Sequence, residues 1–256
     1  MKSIIFSLHN HTDASPDSES SVIAIVRHCE RIGIDAIAIT DHDVVFDANK
    51  LKGIKSKIRV IPGVEVSTDD DAHIIGLFVK SKIGNFDALK VIREIHDQNG
   101  IAILAHPFRR WQGFLSSRYK RTQKEVNSVL GEIDCVEVYN AKNMPYENTL
   151  AKNFFRDKNI PVLGGSDAHT VNEIGNVVVR IKTSIEQLRE GLATAKRELI
   201  IDKTTRVISS YSYTARQIGK NILNKFGVTK NNPAYGLLQD SAKKQEMFFK
   251  KMLGKK

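Results

Sequence analysis

Six of the chain's eight histidines fall at the edges of short apolar runs, and carboxylates accompany most of them. His9 and His11 close the first run with His-x-His spacing, which in extended backbone turns both imidazoles to one side. Asp17 lies in the loop beyond. Asp41, His42 and Asp43 close the second run, Glu65 lies in the third, His73 opens the fourth, His106 closes the fifth, and Asp167 and His169 close the seventh. Imidazole nitrogens mixed with carboxylate oxygens suit zinc, iron or manganese. The nine candidate ligands are His9, His11, Asp17, His42, Glu65, His73, His106, Asp167 and His169. They are too many for one ion that keeps an open position, so two or three divalent ions are implied. Glu65 can bridge two of them through its two oxygens, and ions held about 3.5–4 Å apart can activate a water and neutralise a leaving oxygen. Such an arrangement is suited to hydrolysis.

Residues this distant in sequence must be gathered by the fold. Seven runs read as strands, Ile4–Leu8, Ala36–Thr40, Arg59–Val66, Ala72–Val79, Ile101–Ala105, Cys135–Tyr139 and Val162–Gly165, most of them too apolar to have one face in water. Helical periodicity occupies about Ser21–Ile32, Phe86–Asn99, Gln123–Gly131 and Tyr146–Lys158, with Gly33, Gly100 and Gly131 placed as C-terminal stops. This alternation predicts a parallel sheet with crossover helices, and 256 residues match a single α/β barrel of about 250. The C-terminal ends of barrel strands meet on one rim. Only the acidic turn Asp69-Asp70-Asp71 separates Val64–Thr68 from His73–Val79, so that pair is a candidate hairpin, which would distort the barrel.

After Ser184 a helix at about Ile185–Ala195 gives way to a basic stretch with little strand character. Residues 196–256 hold 14 Lys or Arg against 4 Asp or Glu, so the whole formal surplus of +10 lies there and residues 1–195 balance to zero. Arg216–Phe226 and the segment around Met247, Phe248, Met252 and Leu253 read as basic amphipathic helices. The expected organisation is a barrel at 1–202 and a basic, mostly helical appendage at 203–256. The apolar stripes of the appendage either pack on the barrel or meet nucleic acid or an acidic membrane surface. No run approaches the roughly 20 apolar residues of a membrane-spanning helix, and the opening MKSIIFSLHNH breaks too early for a secretory leader. Cys29 and Cys135 lack the spacing of a zinc knuckle or a redox pair, so a reducing cytoplasm is the expected compartment.

The words His9-Asn-His11-Thr, Ile39-Thr-Asp-His42-Asp, Pro62-Gly-Val-Glu65, Ala105-His106-Pro and Gly165-Ser-Asp167-Ala-His169 appear in order across about residues 4–170. Together they resemble the PHP (polymerase and histidinol phosphatase) superfamily. The resemblance implies a distorted seven-stranded (β/α) barrel of the TIM-like kind, up to three ions of zinc, manganese or iron, and phosphoester hydrolysis. Matching positions imply that His9, His11, Glu65 and Asp167 surround one ion. Glu65, His73 and His106 would hold a second, and Asp17, His42 and His169 a third. Many relatives carry histidine where this chain has Asp17, although the phrase Ser15-Pro-Asp17-Ser recurs in the family. The mechanism implied is attack on phosphorus by a metal-bridging hydroxide, with cations binding the phosphoryl oxygens. Arg109 and Arg110, directly after His106-Pro107, are the candidates for that catalytic role, because guanidinium groups match phosphate geometry in pairs.

The remaining polar residues read more simply. His28 and His96 sit inside helices and are set apart from the site, and Asp13 reads as a turn residue. Asp41 and Asp43 either orient ligands or cap the following helix. Asn140 is a candidate substrate contact, while Trp111 and Phe114 are expected to anchor their loop rather than stack a base. The expected activity is hydrolysis of a small phosphate monoester such as a nucleotide, a sugar phosphate or histidinol phosphate. The competing readings are a nuclease or oligonucleotide phosphodiesterase that uses the basic appendage, and a non-catalytic, metal-stabilised binding module.

Overall fold

The computed structural model describes residues 3–201; the basic appendage expected at 203–256, with its two amphipathic stretches, lies outside the described residues. In chain order the strands are β1 Ile4–Ser7, β2 Ala36–Ile39, β3 Arg59–Ser67, β4 His73–Leu77, β5 Ile101–Leu104, β6 Cys135–Asn140, β7 Val162–Gly165, β8 Val177–Ile181 and β9 Arg197–Ile201. The helices are α1 Val22–Ile32, α2 Ala88–Asp97, α3 Gln123–Glu132, α4 Pro145–Phe155 and α5 Leu188–Thr194. All nine strands join one sheet in the order β7-β6-β5-β4-β3-β2-β1-β8-β9. Parallel pairing links β1 to β2 to β3 and β5 to β6 to β7. By contrast β4 runs antiparallel to both β3 and β5, so the acidic turn closes a hairpin.

The sheet curls almost into a closed barrel. Just past β7 the Ser166 hydroxyl donates to the Val177 carbonyl at 3.0 Å and accepts the Val177 N–H at 3.1 Å, tying β7 to the start of β8. On the rim above, the Ala168 N–H reaches the His9 carbonyl at 3.2 Å and the His11 N–H reaches the Ala168 carbonyl at 2.8 Å. The fold is therefore the distorted α/β barrel expected, with two strands beyond the seven. The run Val177–Ile181 is β8, antiparallel to β1. The stretch expected to lack strand character contains β9, which pairs along the whole of β8 and adds an Arg180–Glu198 ion pair across the two strands.

Side-chain alternation divides the core. Ile4, Phe6 and Leu8, Ile75 and Leu77, and Ile101, Ile103 and Ala105 fill the interior cluster together with Ile61, Cys135, Leu163 and Val179. The opposite parity, including Val64, Val66, Ile74, Ala102, Leu104 and Val136, packs outward with apolar residues of α2, α3 and α4. Continued by twos, the inner rows run from Ile61 to Glu65, from Ile75 back to His73, and from Cys135 to Glu137. Polar side chains thus replace apolar ones only where the interior reaches the rim.

Of the three glycines expected to stop helices only Gly33 does so: beyond α2 it is Asn99, at φ 56°, and not Gly100 that takes the left-handed conformation. Ser21 caps α1 by accepting from the Ala24 N–H, and Gly33 ends that helix at φ 76°, a conformation glycine adopts without steric cost. Gly131 lies inside α3; the helix continues to Glu132 and stops where Ile133 turns extended.

Candidate metal centre

Extensions of the strand ladders build the rim. Thr40 N–H bonds to the Asn10 carbonyl, and the Asp41 and Glu65 backbones continue the β2–β3 pairing to His42. Two further rim residues, His106 and Asp167, have φ of 25° and 51°. These are costly conformations for non-glycine residues and aim both side chains inward.

Glu65 is the hub. Its Oε2 lies 3.1 Å from His9 Nε2, 3.4 Å from His11 Nε2 and 3.2 Å from His42 Nδ1. Its Oε1 lies 2.8 Å from His73 Nδ1 and 3.0 Å from His106 Nε2. Asp17 Oδ2 stands 3.6 Å from His42 Nε2 and 3.0 Å from His169 Nε2, and Asp167 Oδ1 is 3.4 Å from His11 Nε2. All nine expected ligands are therefore brought together. Three groups have donor atoms mutually within 4.8 Å, namely His9, His11 and Asp167; His11, His42 and His169; and His42, Glu65 and His73. The buried atoms His9 Nε2, His11 Nε2 and Glu65 Oε2 have no hydrogen-bonding partner despite their short separations. Lone pairs that converge without hydrogen-bond geometry fit a shared cation, and the donor set fits zinc, manganese or iron.

The electrostatics alternate around the hub. Burial alone would favour neutral Glu65, but the His9, His73 and His42 imidazoles hold its carboxyl well below the usual range. Asp167 is likewise held low against burial, by His9 and Arg109. Burial opposes charge on His9, yet Glu65, Asp167 and Glu137 raise its pKa; His42 is pushed up to about 9 against burial by Glu65 and Asp17. By contrast, burial and the His169 charge lower His11 to about 3, and burial and Arg109 lower His106 to about 4. Ligation requires the neutral imidazole, which His11 and His106 already favour.

Surrounding residues fix the ligands. Asp41 accepts from the Thr12 N–H, the Thr12 hydroxyl and the Ser15 hydroxyl, and Ser15 Oγ in turn lies 3.2 Å from His11 Nδ1 and accepts the His42 N–H. Asp43 does something different, accepting from the Ser67 N–H and the Asn85 amide. Glu137, absent from the expected set, is fully buried. It accepts from His9 Nδ1–H at 3.1 Å, the His106 N–H at 2.9 Å and the Asn140 amide at 2.9 Å. A methyl group on Gly165 would fall 1.9 Å from Glu137 Oε1, which accounts for glycine there. The available signal was a carboxylate two residues after Cys135 in an otherwise apolar strand, in phase with the interior.

Arg109 reaches the centre. Its Nη2 donates to Asp167 Oδ2 and Asn140 Oδ1, each at 2.7 Å, and its Nε donates to Asn143. Arg110 does not follow it; its guanidinium lies 5.3 Å from the Trp111 ring. Asn140, expected against substrate, is buried and engaged with Glu137, Asp167 and Arg109, so it acts as an internal strut. The aromatic pair separates too: Phe114 is 2% exposed and anchors the loop, whereas Trp111 is 55% exposed. His28 bonds to the Ile174 carbonyl and His96 to Asp134, apart from the cluster.

A curled α/β barrel that gathers this histidine–carboxylate cluster on its rim defines a candidate divalent-metal centre. The chain belongs to the PHP domain family, whose pattern matches residues 7–157, with a PHP-associated segment matching 145–197. It is 29% identical over 147 residues to an uncharacterized protein of Methanocaldococcus jannaschii, a match covering 52% of this chain and 80% of that one. In fold it resembles a two-domain protein of Bacteroides vulgatus described as containing a predicted PHP-like metal-dependent phosphoesterase, with a TM-score of 0.60 and 20% identity; 78% of this chain and 65% of that one are covered. It also resembles the lesion-specific endonuclease Q of Pyrococcus furiosus, with a TM-score of 0.56 and 16% identity over 77% of this chain and 58% of the other. The chain thus spans less than two thirds of both structural relatives. Among the described residues, no helix is long and apolar enough to cross a membrane.

Proposed function

We propose that the protein hydrolyses a small phosphate monoester, such as a nucleotide, a sugar phosphate or histidinol phosphate, with two or three zinc, manganese or iron ions in the rim cluster. The observation that carries this reading is Glu65, whose two oxygens face five imidazole nitrogens at 2.8 to 3.4 Å. His9, His11, Glu65 and Asp167 would hold one ion, Glu65, His73 and His106 a second, and Asp17, His42 and His169 a third. When bound, the ions supply a water nucleophile at neutral pH and neutralise the phosphoryl oxygens. Arg109 holds its guanidinium beside Asp167, where it can pair with a phosphoryl oxygen and balance charge developing in the transition state. Asn140 and Asn143 keep that side chain extended towards the centre.

The test is phosphate release from mononucleotides, sugar phosphates, histidinol phosphate and short oligonucleotides by manganese- or zinc-loaded protein, with His42→Ala in parallel. Selective release from a monoester, lost in the variant, is the expected result. Absence of release from every substrate in every metal condition would overturn the proposal.

A second reading is hydrolysis at a nucleic-acid end. It is supported by the concentration of the +10 charge surplus in residues 196–256. A complex of endonuclease Q, a fold relative, is described as holding a 27-mer duplex with an abasic lesion at its active site. Oligonucleotide cleavage that falls steeply with added salt, and exceeds monoester turnover, would favour this reading.

A further inference from the structure

Arg109 and Arg110 are neighbours, with Cα atoms about 3.8 Å apart, yet they serve different surroundings. Arg109 turns to Asp167, whereas the residues on either side of it in sequence, Phe108 and Arg110, line a groove of about 590 Å³. One side of that groove is apolar, formed by Phe108, Leu115, Tyr146 and Leu150. Tyr146 and Leu150 lie one helical turn apart on α4 and are 53% and 46% exposed, whereas Phe108 and Leu115 pack on the core beneath. The groove's cations are Arg110 and Arg118. Both also meet the exposed Trp111, with the Arg118 guanidinium 3.7 Å from the ring centroid.

The loop that carries these groups is preset. Tyr119 donates its hydroxyl hydrogen to the Trp111 carbonyl at 2.6 Å, and Ser116 donates to the Arg110 carbonyl at 2.8 Å. Arg121 bonds to the Phe114 carbonyl and to Asp70, fastening the loop to the β3–β4 turn. At Gly113 a Cβ would come within 2.5 Å of the Arg109 nitrogen and the Pro107 carbonyl, so the chain doubles back closely there. A groove tied in this way, with apolar residues and two planar cations in its lining, is complementary to a flat aromatic ring joined to an anion. A sugar phosphate would set hydroxyls against the apolar wall, and an aminoalkyl phosphate would bring an ammonium towards two guanidinium groups. The volume suits one small ligand, for which sites run about 300–1,000 Å³.

We propose that this groove is a nucleotide-recognition subsite. The base lies against the Tyr146–Leu150 wall and the Arg118–Trp111 stack, while the guanidinium groups act as stacking planes and as counter-charge to phosphate. The inference rests on the phosphoesterase reading for the fate of the ester, but its test is binding and does not require turnover.

Trp111 is the only tryptophan in the chain, and the guanidinium of the groove residue Arg118 lies 3.7 Å from its ring centroid, so its fluorescence reports on the Arg118 edge of the groove. Zinc-loaded full-length protein is titrated with the phosphonate analogue of adenosine monophosphate, in which carbon replaces the ester oxygen, and separately with ribose 5-phosphate. The analogue quenches Trp111 and the sugar phosphate does not. Arg118→Ala and Tyr146→Ala each raise the half-quenching concentration about tenfold, as expected for loss of one stacking contact. Equal responses to the two ligands, no quenching by the analogue, or unchanged titrations in both variants would overturn the subsite. A short single-stranded DNA saturating the signal at about tenfold lower concentration than the analogue would overturn its assignment to one nucleotide. Quenching without phosphate release defeats the hydrolase reading and leaves the subsite; release without quenching does the reverse.

Discussion

Strands β4 and β8 both run against their neighbours, and both begin at the rim that carries the candidate metal centre, yet they make opposite contributions. Apart from Glu65, which lies near the end of β3, the other candidate ligands follow the ends of parallel strands, as in any barrel of this class. Because β4 is reversed, its first residue rather than its last reaches the rim, and that residue is His73, 2.8 Å from Glu65. The first residue of β8 is Val177, whose backbone is taken up by the Ser166 hydroxyl. The same reversal therefore adds a candidate ligand on one side of the barrel and helps to close it on the other. Strand direction decides which end of a segment can join the site; residue type decides whether it contributes chemistry.

The largest expected effect lies at the group shared by the whole rim. Glu65→Gln removes the charge that five imidazoles face, so hydrolysis should fall about 10³-fold or more, with metal content measured by mass spectrometry falling too. A fully metallated, active variant would remove the hub from the account. The comparison itself is tested by pairing His73→Ala with Ser166→Ala. The first should lower bound metal and cut activity about 100-fold. The second should cost about 1–2 kcal/mol in denaturant unfolding, because buried backbone groups lose their partner, with metal per folded molecule unchanged. A reversed pattern would erase the distinction between the two strands. The mildest of the expected losses in metal binding is at Glu137→Gln, which keeps the shape but weakens the acceptor that orients His9 and should reduce metal affinity about 10–100-fold in a chelator competition. Unchanged affinity would limit Glu137 to satisfying the His106 N–H.

Much of the site was legible because it rests on residue type at strand ends. The words around His9, His42, Glu65, His106 and Asp167 each follow or interrupt an apolar run, and the structure gathers them together. Arg109 and Arg110 were indistinguishable in sequence, since two adjacent guanidinium groups carry no sign of which will turn inward. Asn143, Asn140 and Asp167, all distant in the chain, make that choice. Glu137 escaped notice because a single carboxylate in a strand declares nothing until the interior row it continues is known. The strand β9 was hidden in a basic stretch, where charge on the outer residues masked a segment that pairs fully with β8.

Local chemistry by itself determined the strand–helix alternation, the caps at Ser21 and Gly33, the inventory of candidate ligands and the family they point to. These depend on side-chain type and short-range periodicity, which the sequence states directly. Tertiary structure decided the extra strand pair, the direction in which His73 arrives, the inward turn of Arg109 and the separation of Trp111 from Phe114. Each of those depends on partners tens of residues away, and hydrogen-bond pairing and burial are settled only when the chain closes on itself.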